Sequence, residues 1–224
     1  MPELDVLRVF CDEQGRYGNP LGVVLDGPAV PATRRQELAA ELGFSETVFV
    51  DDPATGHLRI FTPACELPLA GHPLVGTAWL LARAGQDLSE LNPPAGPVAT
   101  WVRGDQTWIR GPLWAAPPWR LHEMPDAAVV ESMRKPPKAG QDADQYWAWV
   151  DRSRGIVRAR VFAARYDVPE DEACGSASML LADRLQTSLT VFHGEGSVVY
   201  ASPGPDGTGE VGGHVVLDHS RVVR

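Results

Sequence analysis

Cysteine is scarce in this sequence. Its 224 residues hold three, Cys11, Cys65 and Cys174. The number is odd and no C-x-x-C spacing occurs, so neither a disulfide framework nor a structural metal site is indicated. Positive charge is also short: 20 Lys and Arg stand against 29 Asp and Glu, for a formal net charge of −9. Nucleic acids and anionic membranes are bound by clustered Lys and Arg, so the deficit argues against both as partners. No apolar run approaches the ~18 residues of a membrane-spanning helix. The opening MPELDVLRVF carries charge where a secretory leader would be apolar, and the expected compartment is the cytoplasm. Material for a core is not lacking: 44% of the residues are hydrophobic and 22% charged, as in an ordinary globular chain.

Periodicity places the elements. LDVLRVFCD, LGVVLD, SETVFVDD and HLRIFTP read as strands, with turns at GRYGNP and DPATG. Residues 31–42 have helical spacing and end at Gly43, a natural C-cap. A second helix is expected from Gly71 to about residue 84, and VATWVRGDQTWIRGP reads as a hairpin turning at Gly104-Asp105. From 113 to 144 the pattern dissolves into prolines and charges, with Pro-Pro pairs at 117–118 and 136–137 and a short helix expected near 126–134. Beyond it come the strands YWAWVD and GIVRARVFAA, a helix GSASMLLADRLQ, and the strand-rich close LTVFHGEGSVVYASP and GEVGGHVVLD.

The chain also repeats itself. HLRIFTPACELPLAGHPLVGTAWLLA and IVRARVFAARYDVPEDEACGSASMLLA both run strand, acidic loop, small residue plus Gly, apolar helix. Placing Gly71 over Gly175 sets Glu66 over Glu170 and Ala70 over Cys174. A duplicated α+β lobe is the simplest account. The lobes divide at 1–112 and 113–209, with the closing strand 210–224 returning to the first.

Two helix starts preceded by glycine suit an anion, because their free N–H groups and the helix dipole attract one; ordinary capping accounts for the same pattern. His72 directly after Gly71 is either a satisfied structural histidine or an acid–base group. Asp171 is either a capping carboxylate or a proton carrier. Glu46, in GFSETVFV, has apolar residues around it, and desolvation there would raise its pKa; exposure at a strand start is the alternative. Cys174 beside a helix start could be a low-pKa thiolate or a small buried residue. Trp114, Trp119, Trp147 and Trp149 gather around the expected boundary and read as core or lobe-contact residues. HGEGSVV could turn near a ligand, but no GxGxxG or P-loop pattern accompanies it.

Taken together, FCDEQGRYGNPLGVVLD, GFSETVFV, RIFTPACELPLAGHPLVGTAW, RVFAARYDVPEDEACGSAS and the closing HGEGSVVYASP…GEVGGHVVLD resemble, in order, the phenazine-biosynthesis-like (PhzF) isomerase family. The resemblance implies an α+β, diaminopimelate-epimerase-like fold: two similar lobes, each a mixed β-sheet wrapped around a central helix. It implies a site between the lobes, a homodimer, and no metal or organic cofactor. The catalytic residues it implies are Glu46, His72 and Asp171, with substrate held at Gly71, His72, Gly175 and Ser176. Cys174 adjoins them, in a block Glu172-Ala173-Cys174 where the family usually has Pro-Ala-Thr. The implied activity is proton transfer on carbon of a small carboxylate. Two alternatives are an amino-acid epimerase or racemase using Cys174 as one base, and a non-catalytic ligand-binding or scaffold protein. Ala70 opposite Cys174 leaves a two-thiol inversion one base short.

Overall fold

The computed structural model describes residues 2–134 and 142–223; the Pro-Pro pair at 136–137 lies outside them. The first half of the chain runs β1 (Glu3–Cys11), β2 (Asn19–Val24), α1 (Ala32–Leu42), β3 (Glu46–Asp52), β4 (His57–Phe61), β5 (Glu66–Leu67), α2 (Gly71–Arg83), β6 (Glu90–Leu91), β7 (Val98–Arg103) and β8 (Gln106–Pro112). The second half runs β9 (Arg120–Glu123), α3 (Ala127–Ser132), β10 (Asp144–Asp151), β11 (Ile156–Ala163), β12 (Val168–Asp171), α4 (Gly175–Leu185), β13 (Leu189–His193), β14 (Ser197–Pro203) and β15 (Thr208–Val222). Local chemistry sets several ends. Gly43 closes α1 in the left-handed conformation at φ 69°, and the Asp126 side chain accepts from the Val129 N–H to start α3.

The strands form a mixed sheet in the order β5-β4-β3-β2-β1-β15-β14-β13-β11-β10-β9. The two ends of that order echo each other. β1 and β2 are antiparallel and β2 and β3 parallel; β14 and β13 are antiparallel and β13 and β11 parallel. β15 serves both ends. Its first part pairs with β14 and β8, and the rest, from His214 to Val222, pairs with β1. It is longer than the GEVGGHVVLD run suggests, because β1 continues the ladder past the apolar residues.

The repeat has a side-chain signature. Arg59 on β4 pairs with Glu66 and lies over the Phe61 ring at 6.0 Å. Arg160 on β11 pairs with Glu170 and lies over Phe162 at 5.2 Å. The same Arg-x-Phe…Glu device therefore braces the loop before each buried helix. α2 packs on β1, β2, β3, β8 and β15, and α4 on β13, β14 and β15, so the apolar stripe of each faces its own part of the sheet. One continuous apolar cluster runs from Leu7 and Leu21 through Leu74 and Leu81 to Ala177, Met179 and Val211. β9, parallel to β10 inside the proline-rich stretch, is an element that periodicity does not reveal. Among the described residues no helix is long and apolar enough to cross a membrane.

Candidate active site

The starts of α2 and α4 touch. A Cβ on Gly71 would lie 2.8 Å from the Gly175 Cα, and one on Gly175 3.0 Å from the Gly71 Cα. Only glycine allows two helices to begin in backbone contact, and the contact brings the two helix starts to one place.

Three ionisable side chains from separate elements converge beside it. Glu46 opens β3, which pairs with β2 at Leu21. His72 is the second residue of α2, and Asp171 ends β12. One ligand atom from each lies within 4.8 Å of the others, and all three residues are buried. His72 Nε2 faces Glu46 Oε2 at 3.4 Å. Both atoms are shielded from solvent and have no hydrogen-bond partner among the described residues. Burial holds the His72 imidazole neutral, with its pKa pushed down to about 3. Its Nδ1 stands 3.3 Å from the Asn19 amide nitrogen. That nitrogen can only donate, so the ring proton is on Nε2, the ring nitrogen 3.4 Å from Glu46. The Glu46 carboxyl is raised well above the usual carboxylate range, by burial first and the nearby Asp171 charge second. Burial also raises Asp171, while hydrogen bonds from Cys174, Asn19 and Ser45 pull it back. The trio therefore holds a proton more readily than free carboxylates do. The same three ligand atoms could take a divalent cation, but Asp171 is already engaged by those donors.

Asn19 is the organiser that sequence reasoning missed. It is fully buried, donates to Asp171 Oδ1 at 2.6 Å and to the Ala173 carbonyl at 3.1 Å, and accepts from the Ser45 hydroxyl at 3.1 Å. The sequence offered only a turn, GRYGNP, in which Asn is common.

Cys174 departs from the thiolate expectation. Burial, and then the Asp171 charge, push its thiol well above its usual pKa, which outweighs the helix-start effect. Its Sγ donates to Asp171 and also lies 3.6 Å from the Ser176 hydroxyl. The unusual Glu172 also has a structural role. Its carboxylate accepts from the Ser197 hydroxyl at 2.7 Å and from the Glu195 N–H at 2.9 Å. Ser197 in turn accepts from the Gly18 N–H at 3.0 Å, next to Asn19. His193 completes the clasp: Nδ1–H donates to the Glu172 carbonyl at 2.8 Å and Nε2 accepts from the Cys174 N–H at 3.4 Å. HGEGSVV therefore supports the site from behind.

His193 yields a pH prediction. Burial lowers its pKa from 6.5 to about 4, so the folded chain keeps it neutral where the unfolded chain protonates it. Its contribution is fully present above pH 6.5 and is lost as pH falls toward 4. At ~1.4 kcal/mol per unit this amounts to about 3 kcal/mol. Thermal melts of His193→Asn across that range should show a shallower loss of stability on acidification than the parent. Parallel curves would remove His193 as the cause.

A narrow cavity lies beside Glu46 and Asp171; His72 is not among its lining residues. It is lined by Ser45, Glu46 and Asp171 on one side and by Tyr166, Trp119 and Ser176 on the other, with a volume of ≈ 20 Å³, room for about one water molecule. Cys174 is not among its lining residues. Of the four tryptophans placed near the boundary, Trp147 is buried and Trp114 is 77% exposed, so Trp114 is neither core nor lobe contact.

A mixed sheet folded over two helices that begin in contact, with a buried carboxylate–imidazole–carboxylate group at that contact, defines an α+β protein of the diaminopimelate-epimerase-like class. The chain belongs to the phenazine biosynthesis-like protein family (PhzC-PhzF), whose sequence profile it matches over residues 7–146. It is 30% identical over 209 residues to a trans-2,3-dihydro-3-hydroxyanthranilate isomerase of Pseudomonas chlororaphis, covering 75% of this chain and 74% of the relative. A trans-2,3-dihydro-3-hydroxyanthranilate isomerase of Pseudomonas fluorescens is 48% identical over 64 residues, but that match spans 27% of this chain and only 23% of the relative's length. Among solved structures, a phenazine biosynthesis protein of the PhzF family from Bacillus anthracis superposes with a TM-score of 0.79 at 19% identity, over 100% of this chain and 99% of that one.

Proposed function

We propose that this chain is an isomerase that moves a proton on carbon of a small carboxylate substrate, by acid–base catalysis and without a cofactor. The observation that carries the reading is the Glu46–His72 pair: two buried atoms 3.4 Å apart, otherwise unpartnered, facing each other beside the touching helix starts. Glu46 takes a proton from carbon and returns it at another position, a role suited to a carboxyl whose pKa is raised. The neutral His72 offers its Nε2–H to the reacting region, and Asp171, held by Asn19, fixes the charge beside them. The N–H groups at Gly71, His72, Gly175 and Ser176 receive the substrate carboxylate. Glu46 and Asp171 line the cavity, which supports catalysis over a scaffold role. The protonated Cys174, set off that cavity, does not favour a thiolate epimerase.

The reading takes residues 1–112 with 210–224 as one lobe and 113–209 as the other, a homodimer as the working assembly, and the cytoplasm as its location. Three of the relatives are named for trans-2,3-dihydro-3-hydroxyanthranilate, so that compound is the first to assay. The expected result in deuterated water is a product with a shifted double bond and deuterium on the receiving carbon, read by NMR. Failure to convert it or any related cyclic or acyclic unsaturated carboxylate would overturn the reading.

A further inference from the structure

Ten of the twelve residues lining the cavity are buried; the two that reach solvent are Ser45 and Trp119. Trp119 stands at the mouth in a stiff setting. It follows Pro117-Pro118, its N–H donates to the Pro117 carbonyl at 2.8 Å, and its ring meets Tyr166 edge-on at 5.8 Å. Its indole N–H donates to the Ser176 hydroxyl at 2.9 Å. Ser176 is the second residue of α4, 3% exposed, and its backbone is among the groups that face the touching helix starts. The cavity behind the indole is too small for a carboxylate-bearing carbon skeleton, while Glu46, which lines it, keeps a buried Oε2 with no hydrogen-bond partner among the described residues, the mark of a place built to receive a ligand.

We propose that Trp119 is a substrate-binding residue that gates this site: its indole N–H, held by the Ser176 hydroxyl when the mouth is shut, passes to the carboxylate of the incoming ligand. Indole N–H is a donor only, so it can serve a hydroxyl or a carboxylate but not a cation or another donor. The exchange replaces a neutral hydrogen bond by a charge-assisted one, which is about twice as strong. The Ser176 hydroxyl, an acceptor toward the indole, keeps its own proton and can donate it to the same anion. Among the described residues no Lys or Arg lines the cavity, so carboxylate selection falls to N–H and O–H donors; of the two lining side chains that reach solvent, Ser45 gives its hydroxyl proton to Asn19, and the Trp119 indole N–H is the donor left to be exchanged. The inference rests on the proposed function for the identity of the anion as a carboxylate.

The test is an NMR titration of ¹⁵N-labelled protein with benzoate, and with benzamide as the uncharged match. The Trp119 indole peak, assigned by its absence in Trp119→Phe, should shift saturably with benzoate and not with benzamide. Trp119→Phe keeps the ring against Tyr166 and should weaken benzoate about tenfold. Glu46→Gln should leave the indole shift intact, which separates binding from chemistry. An indole peak that stays put overturns the proposal. If the Gly71 and Ser176 amides still move, the anion site of the proposed function survives without Trp119. Conversely, a saturable indole shift in a protein that isomerises nothing keeps Trp119 as the gate and removes the isomerase.

Discussion

Glu46→Gln should lower turnover by about 10²–10⁴, the usual share of a single general acid–base group, while the protein becomes no less stable. The amide has the shape of the carboxyl, so packing at the start of β3 is kept. It cannot ionise, and ionisation is what burial penalises here: the Glu46 pKa is raised well above 4.5 by desolvation first and by Asp171 second. The sign follows directly. Below 4.5 the carboxyl is protonated in both folded and unfolded chains and has no differential effect. Above it the unfolded chain ionises freely and the folded chain does not, so the parent loses stability as pH rises toward the folded-state pKa. The gap in Tm between Glu46→Gln and the parent should therefore open upward with pH. A large loss of activity joined to a gain in stability marks a residue kept for chemistry rather than for folding. Retained turnover would remove Glu46 as the proton carrier, and a Tm below that of the parent at alkaline pH would contradict its buried charge.

Gly71→Ala should destabilise the fold by about 2–4 kcal/mol, beyond the ordinary cost of overpacking, because the clash is with backbone. The added methyl would sit 2.8 Å from the Gly175 Cα, 2.9 Å from its carbonyl carbon and 3.0 Å from the Ser176 nitrogen. None of these can rotate away; one helix must move. Gly175→Ala meets the mirror situation, 3.0 Å from the Gly71 Cα and 3.1 Å from the His72 nitrogen. Once one substitution has parted the helices the second clash is partly relieved, so the double variant should cost less than the sum of the singles. Gly85→Ala is the control: its φ is +88° but its Cβ direction is open, so only the ordinary penalty of about 1 kcal/mol applies. Urea melts of the four variants measure all of this. Additive singles, or a Gly71→Ala as mild as Gly85→Ala, would show that the helix starts do not bear on each other.

Much of this arrangement could be read from residue order. Strands β1 to β4, the β7–β8 hairpin, β10, β11 and the helices α1, α2 and α4 follow hydrophobic period and glycine punctuation, which are local signals. The internal repeat pointed to Gly71 and Gly175 together, and the apolar neighbours of Glu46 pointed to its desolvation. The roles that local pattern does not reveal act across the chain. Asn19 and Asp171 are 152 positions apart, Gly18 and Ser197 are 179 apart, and Trp119 and Ser176 are 57 apart. A turn asparagine, a glutamate in place of proline and a tryptophan beside two prolines each have an ordinary local explanation. Only the folded neighbourhood shows that one places Asp171, another braces the Asn19 turn and the third stands at the mouth. Cys174 shows the reverse: the local argument for a helix-start thiolate was sound, but complete burial is a tertiary property and decides the sign.

The position of β15 bears on how the chain is assembled. β1 is bordered on one side by β2 and on the other by residues 214–222, the pairing of largest sequence separation in the molecule. Until residues 214–222 have been made, β1 therefore keeps one edge unpaired. An open strand edge invites pairing with other chains, and closing so long a loop is slow. The β1–β15 pairing therefore closes only after both α2 and α4 have been synthesised, since both precede residues 214–222 in the chain.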